Sequence, residues 1–226
     1  MEKDAEEQAR AVRITAGRAW LDGDLAVPAD ARGVVLFAHG SGSSRHSSRN
    51  RYVAGELRRR GMGTLLMDLL TAEEEEADSR TGHLRFDIDL LAGRLRAATR
   101  WLRGETETGR LPLGYFGAST GAGAALVAAA DSPDAVGAVV SRGGRPDLAG
   151  EALPRVLAPT LLIVGGRDEP VIAMNRAALA QLRCEKRLEI VPGATHLFEE
   201  PGALEEVARL AAGWLARHLT GGAPGP

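Results

Sequence analysis

Several short segments of this chain are apolar at consecutive positions, and that pattern limits the fold more than any other feature. The strand candidates are Gly33–Ala38 (GVVLFA), Gly63–Met67 (GTLLM), Leu113–Phe116 (LGYF), Ala135–Val140 (AVGAVV), Thr160–Val164 (TLLIV) and Arg187–Val191 (RLEIV). They have the length of strands rather than helices, and several, though not RLEIV, are apolar without alternation. A strand with one wet face alternates apolar and polar residues. A strand covered on both faces, as in a parallel sheet, need not. Between these runs lie segments of helical pattern: Arg51–Arg60, Phe86–Leu102, Thr120–Ala130, Val171–Leu182 and Ala203–Leu219. In Phe86–Leu102 the apolar positions 88, 91, 95, 98 and 102 form one helix face. Strand and helix in alternation predict an α/β fold, a mostly parallel central sheet flanked by helices. Ahead of them, Val12–Thr15 and Ala19–Val27 flank Ala-Gly-Arg and predict an antiparallel hairpin, bringing the sheet to about eight strands.

The chain has 226 residues, a length that one such domain can occupy, so 1–226 is read as a single domain with frayed ends at 1–10 and 221–226. It is 44% hydrophobic but only 4% aromatic, so the core must be built from Ala, Leu and Val. The 28 Lys and Arg nearly balance the 30 Asp and Glu, and a net charge of -2 predicts neither nucleic acid nor a membrane surface as partner. The single cysteine, Cys184, rules out an intrachain disulfide. The opening MEKDAEEQAR lacks the apolar run of a signal peptide, and no apolar stretch reaches the length of a membrane span. The expected location is the cytoplasm.

The chemistry starts at Gly117-Ala118-Ser119-Thr120-Gly121, placed between a buried strand and an Ala-rich helix. Gly-x-Ser-x-Gly in that context turns the chain sharply with serine at the apex, and the glycines leave room for the crossing backbone. The helix that begins there aims free N–H groups and its positive dipole end at the reacting centre. The amide of Thr120 is then one donor to an oxyanion.

Serine needs a base to take its proton, and a histidine base needs a carboxylate to hold its tautomer. His196 follows the last strand in Val-Pro-Gly-Ala-Thr-His, and Asp168 follows TLLIV in Gly-Gly-Arg-Asp-Glu-Pro. The alternative roles are a helix cap for Asp168 and a backbone-bonded loop residue for His196. Glu169, Glu199 and Glu200 compete as the acid, but none follows its strand as directly. The chain order Ser119, Asp168, His196 is that of α/β-hydrolases.

After GVVLFA comes His39-Gly40-Ser41-Gly42-Ser43-Ser44-Arg45-His46. Small residues let backbone amides converge on one oxygen, so the second oxyanion donor is the amide of Ser41 or its neighbour. His39 is read as a structural histidine of this loop. His39 and His46 lack supporting carboxylates or cysteines, so no metal site is expected, and the proposed chemistry needs no cofactor. Glu73–Glu76 has the look of a metal or protein-binding tract, but Thr71 and Glu74 are spaced as a capping box, which favours a solvated helix start.

The segments AHGSGSSRHSSRN, GYFGASTGAGAAL, VVSRGGRPDL, LLIVGGRDEPV and VPGATHLFEEPGAL resemble the dienelactone hydrolase-like branch of the α/β-hydrolase superfamily over nearly the whole chain. The resemblance is to a bacterial subgroup whose members also occur joined to phosphoribosyltransferase domains; no such second domain shows in this sequence. Dienelactone hydrolases proper place cysteine at the elbow, whereas this chain has Ser119. The resemblance therefore implies small carboxylic esters or lactones as substrates rather than dienelactone itself. A homodimer is admitted as a further partner. Acyl transfer to another acceptor, thioester or peptide cleavage, and a non-catalytic binding module of this fold are the alternatives.

Only Ser141–Ala158 separates the sixth strand from the next, so the cap is minimal and the site open and shallow. Arg45, His46, Arg142 and Arg145 lie near the expected site and are candidate ligands for an anionic group on the substrate. The plainer alternative pairs Arg145 with Asp147 on the surface.

Overall fold

The computed structural model describes residues 9–220. Its strands are β1 (Arg10–Ala16), β2 (Ala19–Ala26), β3 (Gly33–Ala38), β4 (Met62–Met67), β5 (Leu113–Ala118), β6 (Ala138–Arg142), β7 (Thr160–Gly165) and β8 (Lys186–Val191). They form one sheet in the order β1-β2-β4-β3-β5-β6-β7-β8. The β1–β2 hairpin is antiparallel and β2 meets β4 antiparallel; every later pairing is parallel. All residues of β3, β4, β5, β6 and β7 are buried, in keeping with their largely apolar runs, and β6 also buries Ser141 and Arg142.

The helices are α1 (Ser48–Arg58), α2 (Ala72–Thr81), α3 (Ile88–Gly104), α4 (Thr120–Asp131), α5 (Glu169–Gln181) and α6 (Ala203–Leu219). One sheet face carries the core shared with α3, α4 and the 3-10 segment Pro146–Arg155, the other the core shared with α1 and α6. In α4 every residue from Thr120 to Ala130 is buried. Its run of Ala and Gly lets the helix lie close to the sheet while α3 and the 3-10 segment cover it. That 3-10 segment, broken at Gly150, occupies most of Ser141–Ala158, so the cap is as small as expected.

Local signals set most boundaries. The Ser47 side chain accepts from Asn50 N, so α1 starts ahead of the expected Arg51. Thr71 and Glu74 form the full capping box at the head of α2, so the acidic run is a helix start. Asp87 caps α3 after a 3-10 turn at Leu84–Phe86, which shortens the helix expected from Phe86. The sixth strand begins at Ala138 rather than Ala135, because a turn closed by Ala135 N to Ser132 O at 3.0 Å delays it. It then continues through Ser141 and Arg142, which lie inside the strand and not after it. The ends expected to fray fall outside the described residues, apart from residues 9 and 10; Arg10 opens β1 and bonds Glu105 and Glu107. Among the described residues no helix is long and apolar enough to cross a membrane.

Candidate active site

Ser119 stands at the apex between β5 and α4 with φ 51° and ψ -122°, a region that residues with a side chain rarely enter. The surroundings hold it there. Its N–H donates to Arg142 O at 3.3 Å, and its C=O accepts from Ala122 N at 3.1 Å and Arg145 N at 3.0 Å. The flanking glycines are needed for close approach. A Cβ on Gly117 would lie 2.4 Å from Ala122 Cα, and one on Gly121 would lie 2.4 Å from the carbonyl oxygens of Ala38 and His39. Gly-x-Ser-x-Gly thus lets β5, α4 and the loop after β3 meet around one partly exposed serine.

The loop after β7 is tied to the loop after β8 by Arg167 N donating to Ala194 O at 2.9 Å. This brings His196 Nδ1 to 2.6 Å from Asp168 Oδ2. Asp168 occupies the N-cap position of α5, yet its side chain makes no cap bond and is used on the histidine instead. With Nδ1–H donating to the carboxylate, the neutral ring carries its lone pair on Nε2. The His196 side chain is 40% exposed and that of Asp168 13%. Two of the competing carboxylates are employed elsewhere, Glu200 accepting from Thr195 N and Glu199 facing Arg49 at 3.3 Å, while Glu169 is exposed.

Gly143 joins the two parts of the site. It follows Arg142, whose carbonyl receives the Ser119 amide, and its Cα packs against the histidine loop. A Cβ there would lie 3.1 Å from His196 O, 3.4 Å from Phe198 Cε2 and 3.5 Å from His196 Cε1. Phe198 is itself buried at φ 56°, so the histidine loop also carries backbone strain. Neither residue was expected at the site from the sequence; the Gly-Gly pair after β6 was the available signal for the first.

The loop after β3 lies against the elbow, and a Cβ on Gly40 would be 3.0 Å from Ser119 Cβ. Gly40, Ser41, Gly42, Leu69, Leu91 and Thr120 line a small cleft there. His39 is buried, with Nδ1 2.9 Å from Gly40 O and Nε2 accepting from Leu69 N at 3.1 Å. Burial pushes its pKa down, which keeps the neutral ring that this pair of bonds needs. It therefore acts structurally, joining the loops after β3 and β4.

The four candidate ligands of an anion are placed differently. Arg45 turns to Asp68, which accepts from both its backbone N–H and its guanidinium. His46 is exposed. Arg145 forks onto Asp147, the surface pairing considered from the sequence. Arg142 is buried, and among the described residues no carboxylate pairs with it: Nη2 donates to Asn50 Oδ1 at 3.0 Å, and the guanidinium carbon lies 6.0 Å from the centre of the Phe198 ring. Burial, with Arg49 close by, pushes its pKa down to about 10.

Residues 21–218 match the dienelactone hydrolase family. The chain belongs to that family. A dienelactone hydrolase from Anabaena variabilis, known from its crystal structure, is 64% identical, with a TM-score of 0.92 over 94% of this chain and 98% of that one. A Mycobacterium tuberculosis protein provisionally named a phosphoribosyl transferase is 60% identical over 215 residues, 95% of this chain and 47% of that protein. The chain thus spans about half the length of the curated relatives it matches most fully. Est1E from Butyrivibrio proteoclasticus shares the fold at 17% identity, with a TM-score of 0.77 over 93% of this chain and 99% of that one. Family and fold are those of hydrolases, within the α/β-hydrolase superfamily.

Proposed function

We propose that this dienelactone hydrolase family member is a serine hydrolase that cleaves small carboxylic esters or lactones through an acyl-enzyme on Ser119. The observation that carries the reading is the 2.6 Å bond between His196 and Asp168, packed through Gly143 against the strained serine elbow. In this reading His196 Nε2 takes the Ser119 proton as Oγ attacks the carbonyl carbon. Asp168 holds the ring and stabilises the imidazolium that forms. The amides of Ser41 and Thr120 receive the oxyanion, Thr120 from the N-terminus of α4. His196 then protonates the leaving alcohol, and water attacks the acyl-enzyme with the same base. These steps draw on the chain's own residues and water.

The short 3-10 cap supports small or exposed acyl groups as substrates. Arg45 and Arg145 are already engaged by carboxylates, which leaves Arg142 and His46 as the candidates for an anionic substrate group. We place this reaction in the cytoplasm, the location expected from the sequence.

A second reading, a binding module for a phosphoribosyltransferase partner, is favoured by the provisional name and double length of the Mycobacterium tuberculosis relative. Intact-mass analysis after a fluorophosphonate probe separates the two. A serine hydrolase gives one adduct, mapped to Ser119, absent in Ser119→Ala and slowed in His196→Ala. No adduct on folded wild-type protein rejects the catalytic reading.

A further inference from the structure

The two edges of the sheet differ in what they offer a partner. β1 contains Arg10 and Arg13 and no carboxylate of its own, and both arginines already pair with Glu105, Glu107 and Asp22 of their own chain, so it offers a second copy no self-complementary charges. β8, Lys186-Arg187-Leu188-Glu189-Ile190-Val191, carries both signs on one face, with Arg187 and Glu189 already in contact.

The hydrogen bonds of β8 reveal which of its backbone groups are committed. Thr160 N donates to Glu185 O at 2.8 Å, and Gly166 N donates to Val191 O at 2.8 Å. Residues along a strand direct their N–H and C=O alternately to either side. Residues 185, 187, 189 and 191 therefore face β7, and the N–H and C=O of Lys186, Leu188 and Ile190 face outward. Among the described residues no strand lies beyond β8. The Leu188 and Ile190 side chains are half-buried at this edge, whereas Arg187 is exposed.

We propose that β8 is a dimer interface, pairing antiparallel with β8 of a second copy about a two-fold axis at Leu188. In that register Leu188 exchanges hydrogen bonds with its own copy, and Lys186 does so with Ile190 of the partner. The intervening pairs are non-hydrogen-bonded, and there Arg187 stands directly opposite the partner's Glu189, twice over by symmetry. Each Arg187–Glu189 contact within a chain becomes part of a four-residue network of alternating charge. Shifting the register by two residues toward either end sets Arg187 against Arg187 or Glu189 against Glu189. The charges thus select one alignment. Leu188 and Ile190 lie on the opposite face of the strand and meet their counterparts there.

The pairing joins two eight-stranded sheets into one, leaves every β7–β8 bond in place and uses no residue of the proposed triad. It is independent of the proposed chemistry.

Sedimentation of the full chain across a concentration series tests it, with amide-resolved hydrogen exchange on the same samples. The wild type is expected to reach the dimer mass, with the Lys186, Leu188 and Ile190 amides slowing as dimer forms. The Arg187 and Glu189 amides, already bonded to β7, stay slow throughout. Arg187→Glu sets carboxylates opposite one another and is expected to return the monomer mass, while Arg187→Glu with Glu189→Arg restores the dimer. Circular dichroism checks that both variants are folded. A wild type that stays monomeric at every concentration would overturn the proposal. So would a dimer whose Leu188 amide exchanges as fast as in the monomer, even if the variants failed to fold.

Discussion

Gly143→Ala separates backbone strain from the placement of His196, the proposed base. At φ 50° an alanine costs about 1–2 kcal/mol in the left-handed region. For a chain of this size that lowers the melting temperature by roughly 3–6 °C. The new Cβ also meets His196 O at 3.1 Å, closer than ordinary van der Waals contact, so the histidine loop must give by a few tenths of an ångström. A misplacement of about 1 Å can cost on the order of 100-fold in rate, so a shift of this size should lower kcat/KM about tenfold. Gly150→Ala is the matched control. It has φ 46° and ψ -125°, also a conformation that strains a residue with a side chain, and no atom within 4 Å of its added Cβ, so it carries backbone strain without touching His196. The assay is the rate of fluorophosphonate labelling and of ester hydrolysis, beside thermal melts of both variants. Both should melt lower, but only Gly143→Ala should react more slowly. Equal rates in the two variants, at matched loss of stability, would refute the coupling of Gly143 to the base.

Asp168→Asn should leave Ser119 and the fold in place yet lower kcat by about 10⁴-fold, because the amide cannot hold the required tautomer; hydrolysis at the wild-type rate would exclude Asp168 as the orienter. Burial depresses the His39 pKa below the ordinary value of 6.5, so the unfolded chain binds that proton first as pH falls. The His39 contribution is thus full above pH 6.5 and declines below it; urea unfolding of wild type and His39→Gln should show their stability difference shrinking from pH 7.5 to pH 5.5. Thr71→Ala removes the side-chain half of the capping box and should cost α2 roughly 1 kcal/mol. Since Asp78 is the one buried residue of that helix, the loss should appear as faster amide exchange within Ala72–Thr81, with the global melt little changed.

The sequence and the tertiary structure determined different things. Unbroken runs such as GVVLFA and TLLIV announce buried parallel strands because a strand wet on one face cannot afford them. The Thr71–Glu74 box and the Ser119 elbow were legible for a similar reason: each works within a few residues of chain, so spacing alone encodes it. Asp168 and His196 could be singled out as candidates by their position after strands of the parallel sheet, Asp168 after the buried β7 and His196 after the edge strand β8, since every parallel strand delivers its C-terminal loop to the same end of the sheet.

What the sequence could not convey is which distant groups meet. That β6 runs through Arg142 depends on its register against β5 and β7, not on local propensity. The partners of the arginines were decided by packing: Asp68 for Arg45, Asn50 and Phe198 for Arg142. A chain rich in arginine presents many equivalent cations, and only their surroundings distinguish them. Gly143 is the clearest case. In the sequence it is one glycine of a pair after a strand, and its contacts with His196 exist only once β6 and the loop after β8 have been brought side by side. Periodicity and local sterics determined the elements and the order of the site residues; the distances between them, on which the chemistry depends, came from long-range packing.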